Sequence, residues 1–117
     1  MRPEARVLGQ ALLDHHRAKA AQTPPGKKIV PSKYTVRYGD LCVRAGVPHL
    51  MRVVGSFLGE VAEWCAANGY PPLNSLAVNE TGLPGDGYDG AGGFKVVNWP
   101  REVEACIRFT GYPSKMP

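Results

Sequence analysis

The stretch YGDLCVRAGVPHLMRVVGSFL, residues 38–58, decides how this chain is read. In its first part, Leu41, Cys42 and Ala45 are spaced to share the buried face of a short helix over 38–45. Gly46 stops that helix, because glycine tolerates the left-handed backbone that a helix end often needs. Pro48 suits the opening turn of a second helix, where its missing amide hydrogen costs nothing. From 48 to 67 the apolar residues Leu50, Val53/Val54, Phe57/Leu58, Val61 and Trp64/Cys65 recur every three or four positions, which predicts one continuous core-facing stripe. His49, Arg52, Ser56, Glu60 and Glu63 fall on the other faces. A short helix, a glycine turn and a longer helix are the outline of a helix-turn-helix. Arg52 lies exposed in the first half of the second helix, where a recognition helix meets nucleic acid.

Toward the N-terminus, residues 3–20 predict a helix. Pro3 suits its first turn, and Val7, Leu8, Ala11, Leu12 and His15 recur at helical spacing. Residues 21–37 hold Pro24, Pro25 and Pro31 and read as a basic loop carrying Lys27, Lys28 and Lys33, either a solvated connector or an arm that orders on a partner. Toward the C-terminus, residues 73–79 read as a short strand and 94–98 as a return strand. The glycine- and proline-filled segment between them excludes regular structure, so the three parts (73–98) form a wing. Asn98 or Trp99 caps a last helix over 100–109 that buries Val103, Cys106 and Ile107, and the tail GYPSKMP is expected to fray. The expected fold is α+β and mainly helical: one winged helix-turn-helix-like domain spanning 1–117, with an extra C-terminal strand and helix.

Composition narrows the function. A chain of 117 residues with 44% hydrophobic and 21% charged residues is the size of one domain and too apolar for full disorder. No run approaches the roughly 18–20 apolar residues of a membrane span. The N-terminus lacks the apolar core of a signal peptide, which predicts a cytoplasmic chain. Cys42, Cys65 and Cys106 are an odd, widely spaced set and read as reduced packing residues. Residues 1–47 carry nine Lys/Arg against three acids, whereas residues 48–117 carry five against seven. The basic half points to a polyanion partner.

The segment 38–58 resembles the winged helix-turn-helix domain of the alkylguanine-DNA alkyltransferases and the alkyltransferase-like proteins. Tyr38, Gly39, Asp40, Leu41, Ala45, Gly46, Pro48, Arg52, Val54, Gly55 and Leu58 stand in that family's register without a gap. Weaker echoes are Gln10–Leu13, Pro24-Pro25-Gly26, Pro72, Val78-Asn79 and Gly82. The resemblance implies that Tyr38 sits against a DNA phosphate and helps rotate a nucleotide out of the stack. It also implies that Arg52 enters the duplex and fills the space the base leaves. Extruding a base costs a few kcal/mol, and an inserted side chain replaces the lost stacking.

The departures define the expected function. The alkyltransferases carry Pro-Cys-His-Arg, whose thiolate takes the alkyl group. The corresponding Pro72-Leu73-Asn74-Ser75-Leu76 has neither Cys nor His, so alkyl transfer is not expected. The expectation is therefore non-catalytic binding of double-stranded DNA, with sensing of modified or distorted bases. Arg52 and Tyr38 form its centre, and Arg37, Arg44, Lys27, Lys28 and Lys33 its electrostatic footprint, with no cofactor and no metal. Two other readings stand beside it. One is a protein-interaction or accessory module on the same scaffold. The other is a small-ligand or metal-dependent enzyme with a pocket at Leu73, Asn74, Ser75 and Tyr88, near the acids Glu80, Asp86 and Asp89. His15 and His16 are adjacent, so they diverge on a helix and make a poor metal pair.

Overall fold

The computed structural model describes residues 1–85 and 98–117, and it is mainly helical with a small parallel sheet. Among the described residues, helix α1 (Pro3–Ala21) lies at the centre and packs on each of the other three α-helices. Ala5, Leu8 and Leu12 form one buried line, and Gly9, Leu13 and His16 form a second beside it. Two lines are needed because α1 has partners on more than one side. The buried sector consequently turns away from Val7, which is 38% exposed and not part of the core as its spacing predicts.

The basic loop that follows is anchored at intervals. Ile29, Tyr34 and Val36 are buried, and Pro31–Lys33 makes one turn of 3-10 helix. Strand β1 (Val36–Arg37) then leads directly into helix α2 (Tyr38–Arg44), which buries Leu41 and Cys42. Helix α2 ends at Gly46, whose φ is +78°. The Val47 amide donates to Cys42 O at 2.8 Å, and the Gly46 amide donates to Val43 O at 3.1 Å. This pair of bonds satisfies carbonyls that the end of a helix leaves free, and it requires the left-handed residue between them.

The predicted 48–67 helix is two elements. Pro48–Val53 winds as a 3-10 helix, and helix α3 runs from Val54 to Ala67. A 3-10 turn has three residues instead of 3.6, so side chains advance faster around the axis. The apolar stripe thus begins cleanly only at Val54, followed by Phe57, Leu58, Val61 and Cys65, while Val53 is 54% exposed.

The segment predicted as a strand over 73–79 also divides. Leu73–Leu76 is a 3-10 turn, and strand β2 covers Ala77–Val78 alone. All four side chains of the turn are buried. An alternating strand with one covered face cannot bury four in a row, whereas a turn set between α1, α3 and helix α4 (Trp99–Arg108) can. Strand β2 pairs in parallel with β1, Val36 opposite Ala77 and Arg37 opposite Val78, with α2 and α3 in the crossover. Of the rest of the predicted wing, residues 79–85 form turns, with the Asn79 amide donating to Leu83 O at 2.8 Å, and Asn98 of the predicted return strand is extended backbone ahead of α4, while residues 86–97 lie outside the described residues.

Asn98 caps α4, its Oδ1 accepting from the Arg101 amide at 3.3 Å, and α4 buries Val103, Cys106 and Ile107. The C-terminal tail is docked, not frayed. The Met116 amide donates to Gln10 Oε1 at 2.8 Å, and Ser114 O accepts from Arg17 Nη2 at 2.9 Å. Met116 rests on Gly9, where a Cβ would lie 2.6 Å from its methyl carbon. Among the described residues no helix is long and apolar enough to cross a membrane.

Candidate nucleic-acid interface

Helix α2 presents two different faces. Arg37, Asp40 and Arg44, spaced by three and four, face α1 across an open cleft of about 660 Å³. Its other face meets the 3-10 segment: a Cβ on Gly39 would lie 3.3 Å from Met51 Sδ, and Val43, one turn on, is 65% exposed.

Arg52 stands on that 3-10 segment, exposed, with no hydrogen bond or ion pair among the described residues. Met51 and Val53 on either side of it are 42% and 54% exposed. The segment therefore offers one uncommitted cation between two apolar side chains. Tyr38 opens α2 and is half-buried. Its hydroxyl accepts from the Gly85 amide at 2.8 Å, and a Cβ on Gly85 would lie 2.7 Å from that oxygen. Tyr38 thus links α2 to the entry of the glycine-rich segment.

The remaining basic residues fall into two groups. Lys27, Lys28 and Lys33 are exposed on the loop, whose course is tied to the end of α4 by Arg108 Nη2 donating to Lys27 O at 2.8 Å. Arg37 and Arg44 belong to the cleft, where Lys19 of α1 joins them. Sequence reasoning missed Lys19, His15 and Arg108 as site residues. Lys19 and Arg108 sit in the last turns of helices, where a cation already has a local reason to be.

Both histidines are buried in α1 and hold separate segments. His15 Nε2 lies 2.7 Å from Tyr34 O, and His16 Nε2 lies 2.7 Å from Cys106 O. Burial lowers the pKa of each, which outweighs the backbone bonds that favour protonation. Among the described residues no group of three His, Cys, Asp or Glu side chains could hold a metal ion.

Of the residues expected to form a pocket, Leu73, Asn74 and Ser75 are buried, and Asn74 Oδ1 makes no hydrogen bond among the described residues. Tyr88 lies outside the described residues. All three cysteines are buried and unpaired as disulfides. Burial pushes Cys65 up to about 11 and Cys106 up to about 12, so neither is a thiolate at neutral pH. Comparison with known protein families, curated proteins and solved structures finds no match for this chain.

Proposed function

We propose that this chain is a non-catalytic duplex DNA-binding protein, with α2, the Gly46 turn and α3 acting as a helix-turn-helix that senses modified or distorted bases. The observation that carries this reading is Arg52: an exposed arginine, free of any ion pair among the described residues, on the segment that leads into α3. A cation without an acidic partner at that position is available for a phosphate or a groove. Lys27, Lys28, Lys33, Arg37 and Arg44 supply sequence-independent attraction to the backbone. The buried, protonated thiols argue against alkyl transfer as the activity.

The test is binding to a labelled duplex with and without one O-6-methylguanine. Tighter binding to the modified duplex supports a sensor of altered bases. Equal binding leaves a general duplex binder, and absence of binding at low salt rejects the reading.

A second reading has its own observation. Val43 on α2, and Met51 and Val53 on the 3-10 segment that carries Arg52, are exposed apolar side chains, and such side chains suit a protein partner as well as a groove. Capture of a protein partner that is insensitive to salt, in a chain that does not retard DNA, favours this interaction module.

A further inference from the structure

We propose that the cleft between α1 and α2 is a nucleotide-phosphate site in which Lys19, Arg37 and Arg44 hold the phosphate and Asp40 takes an N–H or O–H donor of the same nucleotide. The proposal goes beyond the Arg52 reading and does not depend on it, because the cleft and the Arg52 segment flank different faces of α2.

Three cations reach this cleft from three elements: Lys19 from α1, Arg37 from β1 and Arg44 from α2. None of the three forms an ion pair with a carboxylate among the described residues. Of the two acids in the lining, Asp14 is engaged at the edge by Arg17 at 3.5 Å and by Gln10 Nε2 at 3.1 Å. The cleft therefore holds more positive charge than it neutralises, and its walls concentrate the field on an entering anion.

Arg44 is also pre-positioned. Its Nη1 lies 3.2 Å from His15 Nδ1. A guanidinium only donates, so Nδ1 is the acceptor and Nε2 carries the hydrogen that goes to Tyr34 O. This fixes the guanidinium through one donor and leaves its others for a ligand. A planar fork held in this way suits phosphate oxygens.

Asp40 decides the class of ligand. It sits three residues after Arg37 and four before Arg44 on the cleft face. A carboxylate in the lining repels an anion that brings no hydrogen-bond donor. A carboxylate between two arginines favours a ligand with both an anion and a hydrogen-bond donor. Ala11, Ala18 and Val36 add an apolar floor on which a base can rest. The cleft volume of about 660 Å³ falls within the range of small-molecule sites, roughly 300–1,000 Å³. The nucleotide can be free or part of a strand.

The test is calorimetric titration of the full chain, at low salt, with adenosine 5′-monophosphate, adenosine and inorganic pyrophosphate. The monophosphate is expected to bind at least about tenfold more tightly than adenosine, the cost of removing charged hydrogen bonds. Arg37→Gln and Lys19→Gln should each weaken it by about tenfold with unchanged urea midpoints. Asp40→Asn should weaken the monophosphate and tighten pyrophosphate. Arg52→Ala should leave all three unchanged, which separates this site from the duplex contact assigned to Arg52. Displacement of the monophosphate by a ten-nucleotide single strand assigns the phosphate to a strand, and retention assigns it to a free nucleotide. Equal affinity for adenosine and its monophosphate would overturn the proposal. So would monophosphate binding that survives both Arg37→Gln and Lys19→Gln.

Discussion

Arg44 Nη1 meets His15 Nδ1 at 3.2 Å, and the opposite nitrogen of the same ring meets Tyr34 O at 2.7 Å. One imidazole thus ties α1 both to α2 and to the loop that precedes β1. The arrangement works only with a neutral ring, because a proton on Nδ1 would face the guanidinium.

A pH dependence of stability follows. Burial, opposed by the bond to Tyr34 O and reinforced by Arg44 and Lys19, lowers the pKa of His15 below 6.5, and burial does the same for His16 beside Arg17. In the unfolded chain both histidines take up protons near pH 6.5, before the folded chain does. The stability is therefore complete above pH 6.5 and declines as pH falls from there toward the lower folded values. Urea midpoints should be equal at pH 8 and 7.5 and lower at pH 5.5. His15→Gln should flatten that slope, and an unchanged slope would remove His15 from the account.

The Gly46 turn is open to a single substitution. Its φ of +78° costs any residue with a Cβ about 1–2 kcal/mol, while open space surrounds the position. Gly46→Ala should lower stability by about that amount in chemical denaturation, with no loss of helical signal in the folded state. A neutral result would mean that the turn is not left-handed in solution.

Tyr112 closes the cluster beneath the tail. Its hydroxyl lies 2.6 Å from Pro71 O and 3.2 Å from Cys106 Sγ, and its ring packs edge-on against His16 and Phe109. Tyr112→Phe keeps the ring and removes the bonds, so it should cost about 1 kcal/mol. Tyr112→Ala also empties the cluster and should cost about 3–5 kcal/mol. Urea unfolding of the two variants measures the difference.

The cysteines should be inert in the folded protein. Cys42, Cys65 and Cys106 are buried, and burial raises all three pKa values. An aromatic disulfide reagent at pH 7.5 should leave them unlabelled within minutes and label all of them in denaturant. Rapid labelling of the folded chain would reveal a reactive thiolate and reopen transfer chemistry.

Much of this architecture was legible in local chemistry. Gly46 and Pro48 punctuate the chain through backbone preferences that need no tertiary context. Leu8 and Leu12, and Phe57, Val61 and Cys65, announce their helices by spacing. What was hidden depends on packing. Nothing local says that Leu73–Leu76 coils so that three helices can bury four side chains in a row. Nor does it say that Val53 turns outward on a 3-10 segment, or that Met116 returns to cover Gly9. The candidate site was legible only one residue at a time. The tie from Arg44 to His15, and the gathering of Lys19 with Arg37, depend on how α1 crosses α2, which composition does not encode.

The most direct test of the central claim is the affinity of wild type and Arg52→Ala for one labelled duplex across a salt series, read by fluorescence anisotropy. Wild-type binding should fall steeply with salt. Arg52→Ala should weaken binding by about tenfold or more at each salt concentration, with the urea midpoint unchanged, because Arg52 is exposed and unpaired among the described residues. Equal affinity of the two proteins would contradict that claim.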